Sequence, residues 1–562
     1  MSTGTPSKIT VGELAARLFA AHGITHAFGV VSIHNMPVLD AFHRLGSLRF
    51  VPARGEAGAV NMADAATRVS GRTALAVTST GTAAGNACGA MVEALTAGTP
   101  LLHLTGQIEL PYLDRNLGYI HEARDQLSML KAVSKAAYRV WRPEDAAGVL
   151  KEALRVANTA PCGPVSVEIP IDVQEALIDL PEAAWLAPLP ITPQAPEPGP
   201  LAALAQKLAQ ARRPLLWLGG GARGAVAAVA RLLALGVGVV TSVQGRGVVA
   251  EQHPLTLGAF NLYPEAEAFY ATCDAMVVVG SRLRSNETLK YKLKLPKPLY
   301  RIDADPQAQG RAYGDALFVC GDATLALTHL ADALEAARAQ GGFAIDPAFA
   351  GDLARARHAA AERVRAGLGP YAALVDELQR AAGDHFVWVR DVTVSNSTWG
   401  NRALLLSGPR DGVHAMGGGI GMGAAMSVGA ALAATHADSS RKTLCLSGDG
   451  GLMLNVGELA TLKQENARVV LVVMNDRGYG VIRNIQDAQY GGRRAYVDLV
   501  TPDFAQLTGA LGIAHMPLKA IADTRAVLAR ACAVEGPVMV EVDMNAIGPF
   551  ATAFAGPPVK KP

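Results

Sequence analysis

Three doubly wound α/β domains, each built on a parallel sheet, are predicted by three features of this sequence. Short Val/Ile/Leu-rich runs alternate with longer helical patterns along most of the 562 residues. Those runs carry no polar alternation, which marks strands covered on both faces. Two stretches of different composition then cut the pattern into three. A typical domain of roughly 150–200 residues gives the same count.

The opening MSTGTPSKITVGELAARLFAAHG holds Glu13 and Arg17 in an amphipathic pattern, without an uninterrupted apolar core or a cleavage site. It is read as the first helix of a cytoplasmic protein. Strands at ALAVTS, PLLHLTG and PVSVEIP complete a first domain over 1–185. The stretch WLAPLPITPQAPEPGP, 185–200, holds six prolines and reads as an extended linker. PLLWLGG, GVGVVTS and AMVVVGS build a central domain over 200–340. An Ala/Arg-rich stretch from about 336 to 370 reads as a surface helix and crossover. HFVWVR, TLCLSGD, VVLVVMN and PVMVEVD then build a last domain over 370–550.

The 51 basic and 49 acidic side chains nearly cancel, which argues against nucleic acid as a partner and for a small molecule. Six scattered cysteines with no CxxC suggest neither a disulfide framework nor a zinc site. The uncharged run at 416–435 is about long enough to cross a bilayer. Five glycines among its first eight residues instead predict a turn approached by a ligand or another chain, followed by a packed Ala-rich helix. No membrane segment is predicted.

Ligands of open parallel sheets collect beyond the carboxyl ends of the strands. The GDG at 448–450 follows TLCLS, and Asn475 and Asp476 close VVLVVMND. If these strands are neighbours, Asp449 and Asp476 converge, and the Gly478 carbonyl is a third oxygen for a hard cation. A lone GDG is most often a plain turn; the order strand, GDG, helix, strand, Asn-Asp-x-Gly is far more specific.

With that motif the sequence resembles the thiamine diphosphate enzymes of the pyruvate decarboxylase, acetolactate synthase and benzoylformate decarboxylase superfamily. The likeness covers nearly the whole chain, as a pyrimidine-binding domain, a Rossmann-like central domain and a diphosphate-binding domain. It implies that Asp449, Asp476 and Gly478 hold Mg(II). Gly448, Gly450, Gly451, Tyr479 and Gly480, with Thr393 and Ser395 of DVTVSNSTW, would surround the diphosphate. Asp476 departs from the family's Asn-Asn pair; its extra carboxylate should favour the cation and repel the diphosphate.

The match of RFVPARGEAGAVNMADAATRVSGR carries over Glu56, whose carboxyl would favour the cofactor's imino tautomer and so C2 deprotonation. Without the family, Glu56 would be a solvated first-turn residue. The histidine common before this glutamate is Gly55 here. Ile420 would wedge the cofactor into a V, and the Gly418 carbonyl would hold its amino group. The resemblance also implies at least a homodimer, commonly a homotetramer, because each cofactor lies between subunits.

Reaction type depends on side chains over C2. His34 in FGVVSIHNMPVLDAF and His121 in GYIHEARDQ match positions facing that cavity, and histidine shuttles protons near neutrality. Gln107 matches another such position, although a strand-end amide satisfying a turn is an equal reading. Val481 and Ile485 should line the substrate pocket; Asn484, Gln486 and Tyr490 could add polar contacts or face water. Ile120-His121 replaces the Phe-Gln of acetolactate synthases, and the adjacent histidines of pyruvate decarboxylases are absent. The nearest pattern is the benzoylformate decarboxylase, benzaldehyde lyase and acetolactate-synthase-like branch.

The expected function is a thiamine diphosphate- and Mg-dependent lyase that decarboxylates a 2-oxo acid and can ligate the product carbon to an aldehyde. The alternative is an acetolactate-synthase-like transferase joining two 2-oxo acids. FAD stays open: PLLWLGGGARGAV suits a dinucleotide, yet flavin-free relatives keep that geometry.

Overall fold

The computed structural model describes residues 8–556 and contains three parallel sheets with helices on both faces. The first sheet runs, in spatial order, Arg49–Pro52, His26–Gly29, Leu75–Thr78, Leu102–Gln107, Val165–Pro170 and Ala136–Arg139. The last runs Gly412–His414, Phe386–Arg390, Lys442–Gly448, Val469–Asn475, Val538–Asp543 and Ala514–Leu518. Numbered along the chain, both have the order 2-1-3-4-6-5, so the outer domains share one topology. The central sheet, from Pro214–Leu218 to Leu317–Cys320, has five strands in the order 2-1-3-4-5.

In each sheet the chain leaves strand 1 toward strand 2 on one side and returns to strand 3 on the other. That switch point opens a crevice at the strands' carboxyl ends. In the last domain Phe386–Arg390 and Lys442–Gly448 flank it, so the segments beginning at Asp391 and at Asp449 are brought side by side. Val469–Asn475 pairs with the far side of Lys442–Gly448, Gly448 opposite Met474, which carries Asp476 to the same edge.

The extended linker begins after the short helix Ala183–Leu186, and the next helix, Pro198–Ala209, starts on a proline. Proline is tolerated in a first helical turn because its missing N–H has no partner there. Two helices, Ala323–Ala339 and Phe349–Leu368, occupy the Ala/Arg-rich crossover. No described helix is long and apolar enough to cross a membrane. The uncharged run leads into the helix Gly423–Ala437, buried through Ala434, which packs against Glu56–Ser70 of the first domain. A Cβ at Gly429 would lie 1.9 Å from the Met62 carbonyl oxygen, so glycine there permits backbone contact between domains. Small residues on both helices form one core shared by the outer domains.

His103 is held inside the first sheet by Thr78 Oγ1 at 2.9 Å and Ser166 Oγ at 3.1 Å. Burial pushes its pKa down from 6.5 to about 4. The unfolded chain therefore binds a proton below pH 6.5 that the native ring refuses, and stability falls as pH drops through that window. The loss approaches roughly 3 kcal/mol for such a shift. His103→Gln, which keeps hydrogen-bonding capacity and removes the titration, should lose less thermal stability than the parent between pH 6.5 and 4. Equal losses would refute this assignment.

Candidate functional site

The edge of the last sheet gathers the predicted oxygen ligands. Asp449 starts the short helix Asp449–Leu454 and is 1% exposed. It accepts the backbone N–H of Gly478 at 3.0 Å and, more weakly, that of Asp476 at 3.4 Å. Burial and then the neighbouring Asp449 charge push the Asp476 pKa up to about 7; burial raises Asp449 as well. Two crowded carboxylates at the end of adjacent strands are a donor set that suits a hard divalent cation. Glycine at 480 leaves the Asp476 carboxylate its place, because a Cβ would lie 2.0 Å from Asp476 Oδ2 and push it aside. Tyr479 covers the turn, its ring about where a Cβ on Gly450 would make a 3.0 Å contact.

A cation unforeseen from the sequence answers the extra charge of Asp476. Arg483 places Nη1 3.6 Å from Asp476 Oδ2, donates to its carbonyl at 3.3 Å, and reaches Asp498 at 3.2 Å. It lies on the helix Gly480–Gln489, as do Val481 and Ile485, both half-buried.

Across the crevice, Thr393 Oγ1 accepts the N–H of Asn396 at 3.0 Å, and its methyl would be 3.3 Å from a Cβ on Gly448. Ser395 is fully buried, and its hydroxyl has no hydrogen-bond partner. An orphaned buried hydroxyl two residues from Thr393 fits a diphosphate oxygen, since such groups otherwise cost about 1–3 kcal/mol.

Asp391 organises the glycine-rich turn that follows. Its buried carboxylate accepts from the N–H groups of Val392 at 2.7 Å, Gly421 at 3.0 Å and Gly423 at 3.1 Å. Burial nevertheless raises its pKa to about 6. Asn455 holds the Gly421 carbonyl from the other side at 2.8 Å. Gly418 and Gly421 both have φ of +84°, which side chains rarely adopt. Between them Ile420 remains 36% exposed, so the structure leaves this large apolar side chain without a full core contact.

In the first domain Glu56 begins the helix Glu56–Ser70, and Asn86 donates to its Oε2 at 3.1 Å. The preceding turn is held by the last domain, because Glu458 accepts the Arg54 N–H at 3.1 Å. Burial raises the Glu458 pKa. Gly55 has extended backbone and open space around its Cβ direction, so neither conformation nor packing demands glycine there.

His34 and His121 meet edge to face with ring centroids 5.2 Å apart. His34 sits in the turn Ile33–Asn35 and is buried, and its carbonyl is received by Gln174 at 2.7 Å. Burial, then the charge of His121, lowers the His34 pKa, while Glu109 opposes the shift. His121 is exposed on left-handed backbone, φ +67°, and a Cβ on Gly81 would lie 2.2 Å from its carbonyl oxygen. Gln107 lies nearby in the chain fold but is consumed internally, its Oε1 accepting from Thr80 Oγ1 at 2.7 Å and the Ile108 N–H at 2.9 Å. That is the turn-satisfying reading of this amide.

Two halves of a site thus occupy different domains. Among the described residues no hydrogen bond or ion pair joins Glu56, His34 or His121 to Asp449 or Asp476. Helical glutamates at 93 and 458, Asp391 and Arg483 were not singled out from the sequence. Asp391 alone had a signal there, as the first residue beyond the strand HFVWVR.

Comparison with known proteins accounts for this arrangement. Models of the thiamine pyrophosphate enzyme N-terminal binding domain, central domain and C-terminal binding domain match residues 9–129, 201–330 and 393–542. The probable 2-ketoarginine decarboxylase of Pseudomonas aeruginosa is 31% identical over 515 residues, covering 90% of this chain and 89% of that one. Acetolactate synthase isozyme 1 large subunit of Escherichia coli is 26% identical over 552 residues, covering 97% and 96%. The probable acetolactate synthase large subunit of Methanocaldococcus jannaschii is 25% identical over 519 residues, covering 89% and 86%. Domain order, the three parallel sheets and the matches over both outer domains and the centre agree: the chain belongs to the thiamine pyrophosphate enzyme family.

Proposed function

We propose that this enzyme uses thiamine diphosphate and Mg(II) to decarboxylate a 2-oxo acid, and that it can join the resulting carbon to an aldehyde. The observation that carries the reaction type is the His34–His121 contact, two imidazoles together on the half that also holds Glu56. Bound thiamine diphosphate supplies a carbon nucleophile and a sink for the electron pair released when the bond to carbon dioxide breaks. The chain's own groups do the rest. Asp449, Asp476 and the Gly478 carbonyl would hold the metal. Thr393, Ser395 and the 448–451 turn would face the diphosphate, with Tyr479 and Gly480 closing over it. Glu56 would keep a proton on the pyrimidine ring, and the Gly418 carbonyl and Ile420 would meet its other side.

Burial, then the charge of His121, lowers the His34 pKa and so favours the neutral ring. A neutral ring beside a second imidazole can accept a proton on one nitrogen and donate from the other. Such a pair suits proton delivery to the carbon that has lost carbon dioxide. Val481 and Ile485 would wall the substrate's side chain.

Each site would need a second copy of the chain, with Glu56 and the histidines from one and the metal clamp from the other. Apolar side chains left open near both halves support this, among them Ile120 at 71% and Tyr496 at 97% exposure. A homotetramer would pair two such dimers.

The relatives named acetolactate synthase favour a second reading, a transferase joining two 2-oxo acids with FAD in the central domain. Glycines there already have a packing reason, since a Cβ on Gly219 would lie 2.1 Å from the Gly280 carbonyl oxygen. The two readings part on one experiment. Carbon dioxide release should be followed on aliphatic, aromatic, acidic and guanidinium-bearing 2-oxo acids, with and without thiamine diphosphate and Mg(II). Release from one class with the aldehyde as product is expected. A 2-hydroxy-2-alkyl-3-oxo acid as product, from a yellow protein, would establish the transferase, and silence across the panel would overturn both.

A further inference from the structure

The 418–420 arch carries Gly418 and Ile420, and among the described residues no hydrogen bond reaches it directly. It is held at its two feet. The far foot belongs to its own domain, through Asp391 and Asn455 on Gly421. The near foot is held by the other two domains. Glu93, on the first-domain helix Thr82–Ala97 and 1% exposed, accepts the Met416 N–H at 2.6 Å on one oxygen and the Gly417 N–H on the other. Arg284 of the central domain donates to the Met416 carbonyl at 2.6 Å.

A bland role for Glu93 would be to neutralise Arg68, which donates to it at 3.0 Å. Arg68 already has a carboxylate of its own: Asp64, one turn earlier, takes both Nε and Nη2, with Nε at 2.9 Å. The remaining Nη1 goes to the His414 carbonyl at 2.6 Å. Both Glu93 oxygens are spent on consecutive backbone N–H groups at the foot of the arch, and bonds to an ionised acceptor are about twice as strong as neutral ones. The carboxylate therefore fixes the direction in which the chain enters 418–420. Resting on the reading that this arch meets the cofactor's pyrimidine, we propose that Glu93 is a positioning residue, which with Arg284 sets Gly418 and Ile420 against the cofactor from outside their own domain.

Glu93→Gln tests this. A carboxamide can accept one of the two N–H groups but turns its own NH₂ toward the second, so the near foot is released while the helix keeps its volume. Two probes separate positioning from general loosening: thiamine diphosphate with Mg(II), and pyrophosphate with Mg(II), which needs the 448–480 clamp with Thr393 and Ser395 but not the arch. Affinity for thiamine diphosphate should fall about tenfold with pyrophosphate affinity unchanged. Hydrogen–deuterium exchange at C2, per bound cofactor, should fall about 100-fold, as for a misplacement near 1 Å. Unchanged exchange and affinity would overturn the proposal, and equal losses for both probes would reduce Glu93 to a structural residue. If Glu93→Gln does not fold, Arg284→Met releases the same foot from the central domain and is read the same way. A parent protein that binds no thiamine diphosphate would refute the cofactor reading itself, which distinguishes that failure from this one.

Discussion

Glu56→Gln is expected to bind thiamine diphosphate and to lose nearly all exchange at the cofactor's C2. Glutamine keeps the length of the side chain, its place in the first turn of Glu56–Ser70 and an oxygen that can still accept from Asn86. What it cannot do is carry a proton to a ring nitrogen. Proton-transfer groups contribute typically 10² to 10⁴ in rate, so a loss on the order of 10³-fold is expected. Because Asn86 and the Glu458-held turn fix the side chain from two sides, the variant should fold and bind, and the loss will read as chemistry. Deuterium exchange at C2, followed on the bound cofactor at several quench times, measures it directly. Exchange at the parent rate would remove Glu56 from the mechanism.

Every strand named from the sequence is a strand of the structure, because buried parallel strands leave uninterrupted apolar runs that little else produces; the short edge strands Arg49–Pro52, Ala136–Arg139, Gly412–His414 and Ala514–Leu518 leave no such run and were not named. The convergence of Asp449 and Asp476 was equally legible, since both carboxylates sit in short segments at strand ends where chain order and spatial order coincide. The groups that position the site were not. Glu93 meets Met416 across 323 residues and Glu458 meets Arg54 across 404. A glutamate inside a helix looks solvated unless its partner is known. The meeting of His34 and His121 was reached only through the resemblance, which sets both over one cavity: the two lie on separate turns that Gly106 and Gly81 allow to approach, His34 O being 2.2 Å from a Cβ on Gly106. Gln107 shows the opposite case, in which a residue placed at the site by likeness has its carbonyl occupied by its own turn.

Asp449→Ala should abolish Mg-dependent binding of thiamine diphosphate, and Asp476→Asn should not. Asp449 is the buried member of the pair, and its two oxygens each face a backbone N–H, so its removal strips the clamp of a ligand and leaves those donors without an acceptor. Loss of a group only one step removed from a metal costs about 10- to 100-fold in affinity, and a direct ligand should cost at least the upper figure. Asp476→Asn keeps an oxygen at the same place and removes the carboxyl group that burial and the Asp449 charge raise. The pH profile supplies the sign. In the parent, a proton competes with the metal at Asp476 until pH exceeds about 7, so Mg(II) affinity should climb as pH rises through that value. The asparagine has no such proton, and its profile should be flatter over the same window. Arg483, 3.6 Å from Asp476 Oδ2, offsets part of the charge in the parent and keeps its backbone acceptors and Asp498 in the variant. Titration calorimetry with Mg(II) at pH 6 and pH 8 separates the cases. Retained affinity in Asp449→Ala would place the metal elsewhere, and a steep profile surviving in Asp476→Asn would assign the competing proton to Asp449.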